Sequence, residues 1–378
     1  MRKLIVLPLL VLLAACTERT AVGPDGDAGL VAAKGGKGKG GGGDAEGEYT
    51  ITDLGTLAGG SWNVARDISA NGEVVVGASE DANGNSVATV WSLRLDETDG
   101  WDILALEQLS GFTGSEANAI DNLGSVTVGS ASSGTPVPVR WVPGVERLPG
   151  LVVKDTDFLN GVARDVNIAG QIVGWTNSGG SATRATLWEV DVLGSVIAIE
   201  LGTLIDGESS RADGINEDGL IVGTYNSDDS HAVLWRKGTG GFEICDLHPG
   251  DASWSRAYAI TDAKLDGSVE VAGVRDNIVT VWSVDWPVEG PCVEAGSRDL
   301  SSGAFAFDIN NQGEVVGQDL SSGTTRPVLW MADNQLVELP SVKGNYGSAN
   351  RINDAGQIVG WSKGARKQVR AVLWTKNQ

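Results

Sequence analysis

One tryptophan returns seven times along the chain, as Trp91, Trp141, Trp188, Trp235, Trp282, Trp330 and Trp374. Successive copies stand 50, 47, 47, 47, 48 and 44 residues apart. That period is the one of four-stranded propeller blades. A unit that recurs in this way cannot bury its apolar face alone and must stack on its own copies, which removes most other architectures at once. Each Trp ends a short apolar strand, as in Ala185-Thr-Leu-Trp188, His231-Ala-Val-Leu-Trp235 and Ala371-Val-Leu-Trp374.

Upstream of every Trp, an Ala is followed three residues later by a β-branched residue: Ala65 and Ile68, Ala117 and Ile120, Ala163 and Val166, Ala212 and Ile215, Ala257 and Ile260, Ala306 and Ile309, Ala349 and Ile352. A turn comes next, clearest in Asn167-Ile-Ala-Gly170, Asn216-Glu-Asp-Gly219, Asn310-Asn-Gln-Gly313 and Asn353-Asp-Ala-Gly356. Asn caps such a turn through its side chain and Gly accepts the positive φ that closes it. Apolar runs such as Gln171-Ile-Val-Gly174 and Glu314-Val-Val-Gly317 then suit a strand covered on both faces. A fourth strand follows the Trp, as in Leu336-Val-Glu-Leu339, and often reads Asp-Leu-Gly, as in Asp53-Leu54-Gly55.

Four strands repeated seven times predict an all-β fold, a single seven-bladed β-propeller of four-stranded antiparallel blades; a sandwich does not repeat seven times, and a parallel β-helix has shorter coils. Blades converge on the axis, which places the small alanines on the innermost strands. They diverge outward, where the tryptophans fill the wedge. The segment between the Asp-Leu-Gly strand and the Ala strand reads as the blade-to-blade crossing. The chain therefore enters with an outer strand near Tyr49 to Gly55 that completes the last blade, ties the ends together and removes an open sheet edge. A closed ring of this kind is expected to be monomeric.

Strings such as Asp53-Leu-Gly-Thr-Leu57, Asn310-Asn-Gln-Gly-Glu-Val-Val-Gly317 and His231-Ala-Val-Leu-Trp235 resemble the bacterial HAF family of extracellular repeats over residues 49–378. Only the His231 repeat keeps the family's His, with Val in place of Phe. Repeats two and five depart around the turn, and repeat five carries an insertion at Thr261 to Gly267. The resemblance implies an extracytoplasmic, propeller-shaped repeat protein, with no established reaction and no shared catalytic residues.

Ahead of the repeats, Arg2 and Lys3 precede the apolar run Leu4 to Leu13 and then Ala14, Ala15 and Cys16. A positive start and a run too short to remain as a spanning helix form a secretory signal. Leu13-Ala14-Ala15-Cys16 resembles the lipobox of bacterial lipoproteins, which implies cleavage after residue 15, diacylation of Cys16 and a membrane partner through the lipid anchor. Thr17, in place of Asp after the Cys, implies outer-membrane sorting and hence the cell envelope. Residues 16–48 are poor in large apolar side chains and contain Lys34-Gly-Gly-Lys-Gly-Lys-Gly-Gly-Gly-Gly43, a tether that cannot bury enough surface to fold. Residues 49–378 then form the propeller.

Signal and tether carry equal numbers of acidic and basic residues, so the repeats keep the whole net charge of -21. Such a surface repels nucleic acid and anionic polysaccharide and favours neutral or cationic partners. Of three cysteines, Cys245 and Cys292 remain after Cys16. Outside the cytoplasm they read as a disulfide between successive repeats, with two separate thiols as the alternative.

Candidate chemistry is sparse, and no catalytic residue, cofactor or metal site is assigned. The chain has two histidines, His231 at the family's His position and His248 in a variable loop, which leaves a Ser-His-Asp site without a plausible base. Asp67, Asp165 and Asp308 each stand just before the β-branched residue of an inner strand, where they edge a central channel. Trp62 and Trp254 stand three residues before an inner-strand Ala and offer aromatic faces at one rim for a sugar or a peptide. Trp175 and Trp361 follow the Gly of the second strand and are expected to pack between blades. Arg66, Arg164, Arg211, Arg256 and Arg351 lie near the same rim and are expected to pair with neighbouring aspartates. Asp81-Ala-Asn-Gly-Asn-Ser86 alternates oxygen ligands as calcium loops do, but Asn-Gly is first a hairpin tip.

The expected function is a lipid-anchored extracytoplasmic binding or scaffolding module for a protein or glycan. A carbohydrate-active enzyme using the channel carboxylates and a purely structural envelope protein are the alternatives. An enzyme would gather acids and aromatics in one deep channel mouth, whereas a binding ring spreads its contacts around a rim.

Overall fold

A computed structural model describes residues 48–94, 100–153, 156–158, 160–177, 182–205, 208–225, 230–248, 250, 252–287, 290–364 and 368–377. The signal, Cys16 and the tether lie outside them. Seven antiparallel four-stranded sheets follow one another, with a two-stranded hairpin, Leu151–Val153 with Thr156–Phe158, inserted before the third inner strand. In the first blade the strands run Asn63–Ile68, Val74–Glu80, Ser86–Leu93 and Trp101–Ala105, in the predicted order. The other inner strands are Gly114–Ile120, Gly161–Val166, Ser210–Ile215, Ser255–Ile260, Ala304–Ile309 and Gly347–Ile352. Each lies against the inner strand of both neighbouring blades, all the way round, so the protein is a seven-bladed β-propeller. Closure is as the sequence predicts: Tyr49–Asp53 pairs antiparallel with Val369–Lys376 and becomes the outer strand of the seventh blade. Despite its insertion, the fifth repeat forms a full blade.

All seven inner strands share a β-bulge immediately after the signature Ala, between Ala65 and Asp67 in the first blade and between Ala163 and Asp165 in the third. The bulge swings the carbonyl of the residue before that Ala over the second strand. The second strand answers with Gly at the paired position in every blade. A Cβ on Gly174 would stand 2.0 Å from the Val162 oxygen, and one on Gly317 would stand 1.9 Å from the Phe305 oxygen. The final Gly of Gln171-Ile-Val-Gly174 is therefore a requirement of close approach.

The seven tryptophans sit on the third strands and are enclosed between blades, all but Trp141 fully so. Five of the indole N–H groups donate to a carbonyl at the start of a crossing segment, and that of Trp330 to the Ser301 hydroxyl on the outer strand of blade five. Trp91 bonds the Gly55 carbonyl, Trp188 the Pro149 carbonyl and Trp374 the Pro340 carbonyl. The Leu immediately before each acceptor, Leu54, Leu148 and Leu339, is buried in the same seam. The Asp-Leu-Gly string is thus one half of an interblade joint whose other half is the Trp. Trp282 is the exception, a buried indole with no acceptor among the described residues.

Turn asparagines join blades as well as capping turns. The Asn216 side-chain oxygen accepts the Leu220 N–H while its amide donates to the Thr261 carbonyl of the next blade. Asn353 does the same across the closure, to Ser69. Cys245, on the outer strand of blade four, and Cys292, just before the outer strand of blade five, are joined as a disulfide with Cα atoms 5.7 Å apart.

Candidate functional site

The bulges place one residue per blade in a ring around the axis: Asp67, Ala119, Asp165, Gly214, Ala259, Asp308 and Arg351. Three acids and three small residues leave room for a single long cation. Arg351 reaches across the channel to all three acids. Its Nε lies 3.0 Å from Asp67 and 3.6 Å from Asp308, and its Nη2 lies 2.7 Å from Asp165.

Each carboxylate is also held by backbone. Asp67 accepts the N–H of Ile68 and of Ile120 in the next blade; Asp165 accepts those of Val166 and Ile215; Asp308 accepts that of Ile352. Burial pushes the Asp67 carboxyl up to about 7 and the Asp308 carboxyl up to about 6, against the pull of Arg351 and the backbone donors. Burial also works against the Arg351 charge, but Asp165, Asp308 and Asp67 more than offset it and hold the guanidinium ionised.

Arg351 is the residue common to the walls of the two cavities that lie at opposite mouths of the channel. The first cavity is small, about 120 Å³, and its rim is acidic and amide-rich. Those rim side chains bond one another's backbones around the ring. Glu217 accepts the Ile168 N–H, Asp262 accepts that of Glu217, Asn311 that of Asp262, and Asp354 that of Asn311. Burial raises the Glu217 carboxyl.

At the opposite mouth the cavity is about 520 Å³, within the size range of small-ligand pockets. Its wall carries Arg66, Arg164, Asp213, Tyr258, Phe307 and Trp361. Tyr258 and Phe307 meet edge to face at 6.4 Å, and Trp361 is braced by Tyr346 at 5.5 Å. Arg66 pairs with Glu116 at 2.6 Å and Arg164 with Asp213 at 3.2 Å.

Of the residues singled out from the sequence, Asp67, Asp165 and Asp308 come together on Arg351, although they belong to blades one, three and six. Trp62 and Trp254 do not join them. Neither lines the channel cavities: the Trp62 carbonyl accepts the Glu80 N–H, and the Trp254 ring lies 5.8 Å from the Arg256 guanidinium. Trp361, expected to pack between blades, instead walls the larger mouth. The two histidines stack at 3.8 Å; His231 is bonded by Tyr225, and His248 by Ser255 and the Ala252 carbonyl. Since the Ala252 carbonyl can only accept, His248 Nε2 donates to it. Asp81 turns its carboxylate onto the Asn83 and Asn85 N–H groups, as a hairpin cap does. No cluster of three or more metal-ligating side chains occurs among the described residues.

Sequence reasoning missed the central role of Arg351 and the exposure of Trp361 to the cavity. A signal for the first existed. Aligning the seven repeats two residues after the Ala leaves one cation in a column of acids and small residues. No such column identifies Trp361, because Trp175 holds the same repeat position and does not line the cavity.

No protein-family model matches the chain, and no curated protein sequence matches it. Among solved structures it is similar to the Dos1 propeller, with TM-score 0.44 and 10% identity over 84% of this chain and 83% of that one. It is also similar to a protein from Lactobacillus plantarum, with TM-score 0.42 and 15% identity over 74% of this chain and 84% of that one. TolB from Acinetobacter baumannii matches with TM-score 0.37 and 14% identity over 59% of this chain, which spans about half, 51%, of the TolB chain.

Proposed function

We propose that this protein is an extracytoplasmic propeller of the HAF repeat type, anchored in the outer membrane through a lipid on Cys16, and that it binds its ligand at the arginine-bearing mouth of the channel. The observation that carries the reading is the division of labour between the two mouths. Acids collect at the small mouth and in the ring on Arg351, where backbone N–H groups and the guanidinium occupy them. Aromatics collect at the other mouth, around a cavity of about 520 Å³. Glycoside hydrolysis needs two carboxyl groups facing one bond, with at least one free to take or give a proton there. The aromatic cavity carries a single carboxylate in its wall, Asp213, which faces Arg164, so the second carboxyl that hydrolysis needs is missing there, which favours binding over cleavage.

Two experiments test the proposal. Metabolic labelling with radioactive palmitate, compared between the wild type and Cys16→Ser, should mark only the wild type, and the variant should leave the membrane fraction. Equal labelling of both refutes the anchor. Purified full-length chain should retain a glycan or a protein from a glycan array and an envelope-extract pull-down, and Trp361→Ala should reduce that retention. Clean negatives in both screens refute the binding role.

A further inference from the structure

The larger mouth does not end at its own wall. It shares Arg66, Asn118 and Arg164 with a second depression of about 710 Å³ that runs outward over blades one to three. Ser86, Thr113, Ser130, Ser132 and Ser133 line this groove, whose apolar side chains are only Pro136 and Val162.

Native proteins leave few buried polar atoms unmatched. Nine such side-chain atoms occur among the described residues, and four of them lie along this joined surface: Arg66 Nε, Arg164 Nε, Asp213 Oδ2 and Ser86 Oγ. The Asp213 side chain is 6% exposed, and its Oδ2 has Arg211 Nε no nearer than 3.9 Å.

We infer that the joined vestibule and groove hold a chain of neutral sugars, an assignment that rests on the binding role proposed above. The unmatched set mixes two N–H donors, a carboxylate acceptor and a hydroxyl, and sugar hydroxyls, which both donate and accept, match that mixture in kind. A phosphate or carboxylate ligand would meet Asp213 with repulsion. It would also find no free cation, because Arg66, Arg164 and Arg351 already face Glu116, Asp213 and the three ring aspartates. The overall charge of -21 works in the same direction. Tyr258, Phe307 and Trp361 offer flat faces for the C–H side of a ring seated in the vestibule. A peptide would be gripped by an open sheet edge or by apolar pockets for alternate side chains, and a serine-lined groove supplies neither.

The test is calorimetric titration of the full-length chain with maltotetraose, cellotetraose, chitotetraose and tetragalacturonate, followed in parallel by tryptophan fluorescence, and capture of a degenerate hexapeptide library on beads. At least one neutral tetrasaccharide should bind saturably. Asp213→Asn and Trp361→Ala should each weaken it at least tenfold, with Trp361→Phe recovering most of the loss and all three variants keeping the wild-type circular dichroism spectrum. Ser133→Trp, placed in the groove, should abolish the advantage of the tetrasaccharide over its disaccharide. Failure of all three neutral tetrasaccharides, or tighter binding of tetragalacturonate, overturns the assignment. Peptide capture that is lost in Trp361→Ala would then keep the binding role and replace its ligand, whereas absence of both saccharide and peptide binding removes the role as well.

Discussion

Gly174→Ala should be among the most damaging single-methyl additions this protein can receive. The added Cβ would stand 2.0 Å from the Val162 oxygen, where real Cβ atoms keep at least 3.0 Å, so the carbonyl must retreat by about 1 Å. It cannot retreat alone. Val162 opens the bulge that carries Asp165, and Asp165 is fixed by the Ile215 N–H of the next blade and by Arg351. Overpacking a fitted site costs about 1–3 kcal/mol, and the coupling to the ring puts this one at ~3 kcal/mol or more. Gly170 of the same hairpin is the control: its φ is +74°, and a Cβ there meets nothing within 4 Å. Gly170→Ala should cost only the left-handed conformation, about 1 kcal/mol. At roughly 2 °C per kcal/mol, the melting point should fall by about 6 °C for Gly174→Ala and about 2 °C for Gly170→Ala. Thermal melts with urea midpoints on both variants decide the matter. A Gly174→Ala variant no less stable than Gly170→Ala would refute the claim that the bulge, rather than turn geometry, demands this glycine.

Arg351→Met should leave three buried carboxyls facing an apolar tip and cost about 3–5 kcal/mol at pH 8, measured by urea unfolding. The deficit should shrink at pH 5, where Asp67 and Asp308 are protonated, and a loss independent of pH would contradict the ring. The carboxyls raised by burial stabilise the fold most below their ordinary value near 3.8, and that contribution is lost as pH climbs through about 6 and about 7. Between pH 5 and 6, Asp67→Asn should flatten the fall of stability with pH by about 1.3 kcal/mol per pH unit, read from urea midpoints. Replacing both Cys245 and Cys292 by Ser opens a loop with a sequence separation of 47 and should cost up to about 4 kcal/mol. Dithiothreitol should lower the melting point of the wild type and leave that of the double variant unchanged.

Repetition made most of the architecture legible. Seven alanines, seven tryptophans and the intervening turns were enough to number the blades, order their strands and phase the closing strand, because each feature answers a local need that recurs with the repeat. The Ile-Val-Gly glycine was visible and its cause was not, since the carbonyl it avoids belongs to another strand whose bulge has no residue signature. At the channel the sequence by itself marked Asp67, Asp165 and Asp308 as a set, for they share one repeat position. It could not say that they are occupied. That depends on Arg351 crossing an axis that exists only once seven blades close, with blade seven facing blades one, three and six. The same closure separates Trp361, which walls a cavity, from Trp175 at the same repeat position. A repeat dictates what every blade must do alike. What one blade does differently is set by the neighbours that the closed ring brings opposite it.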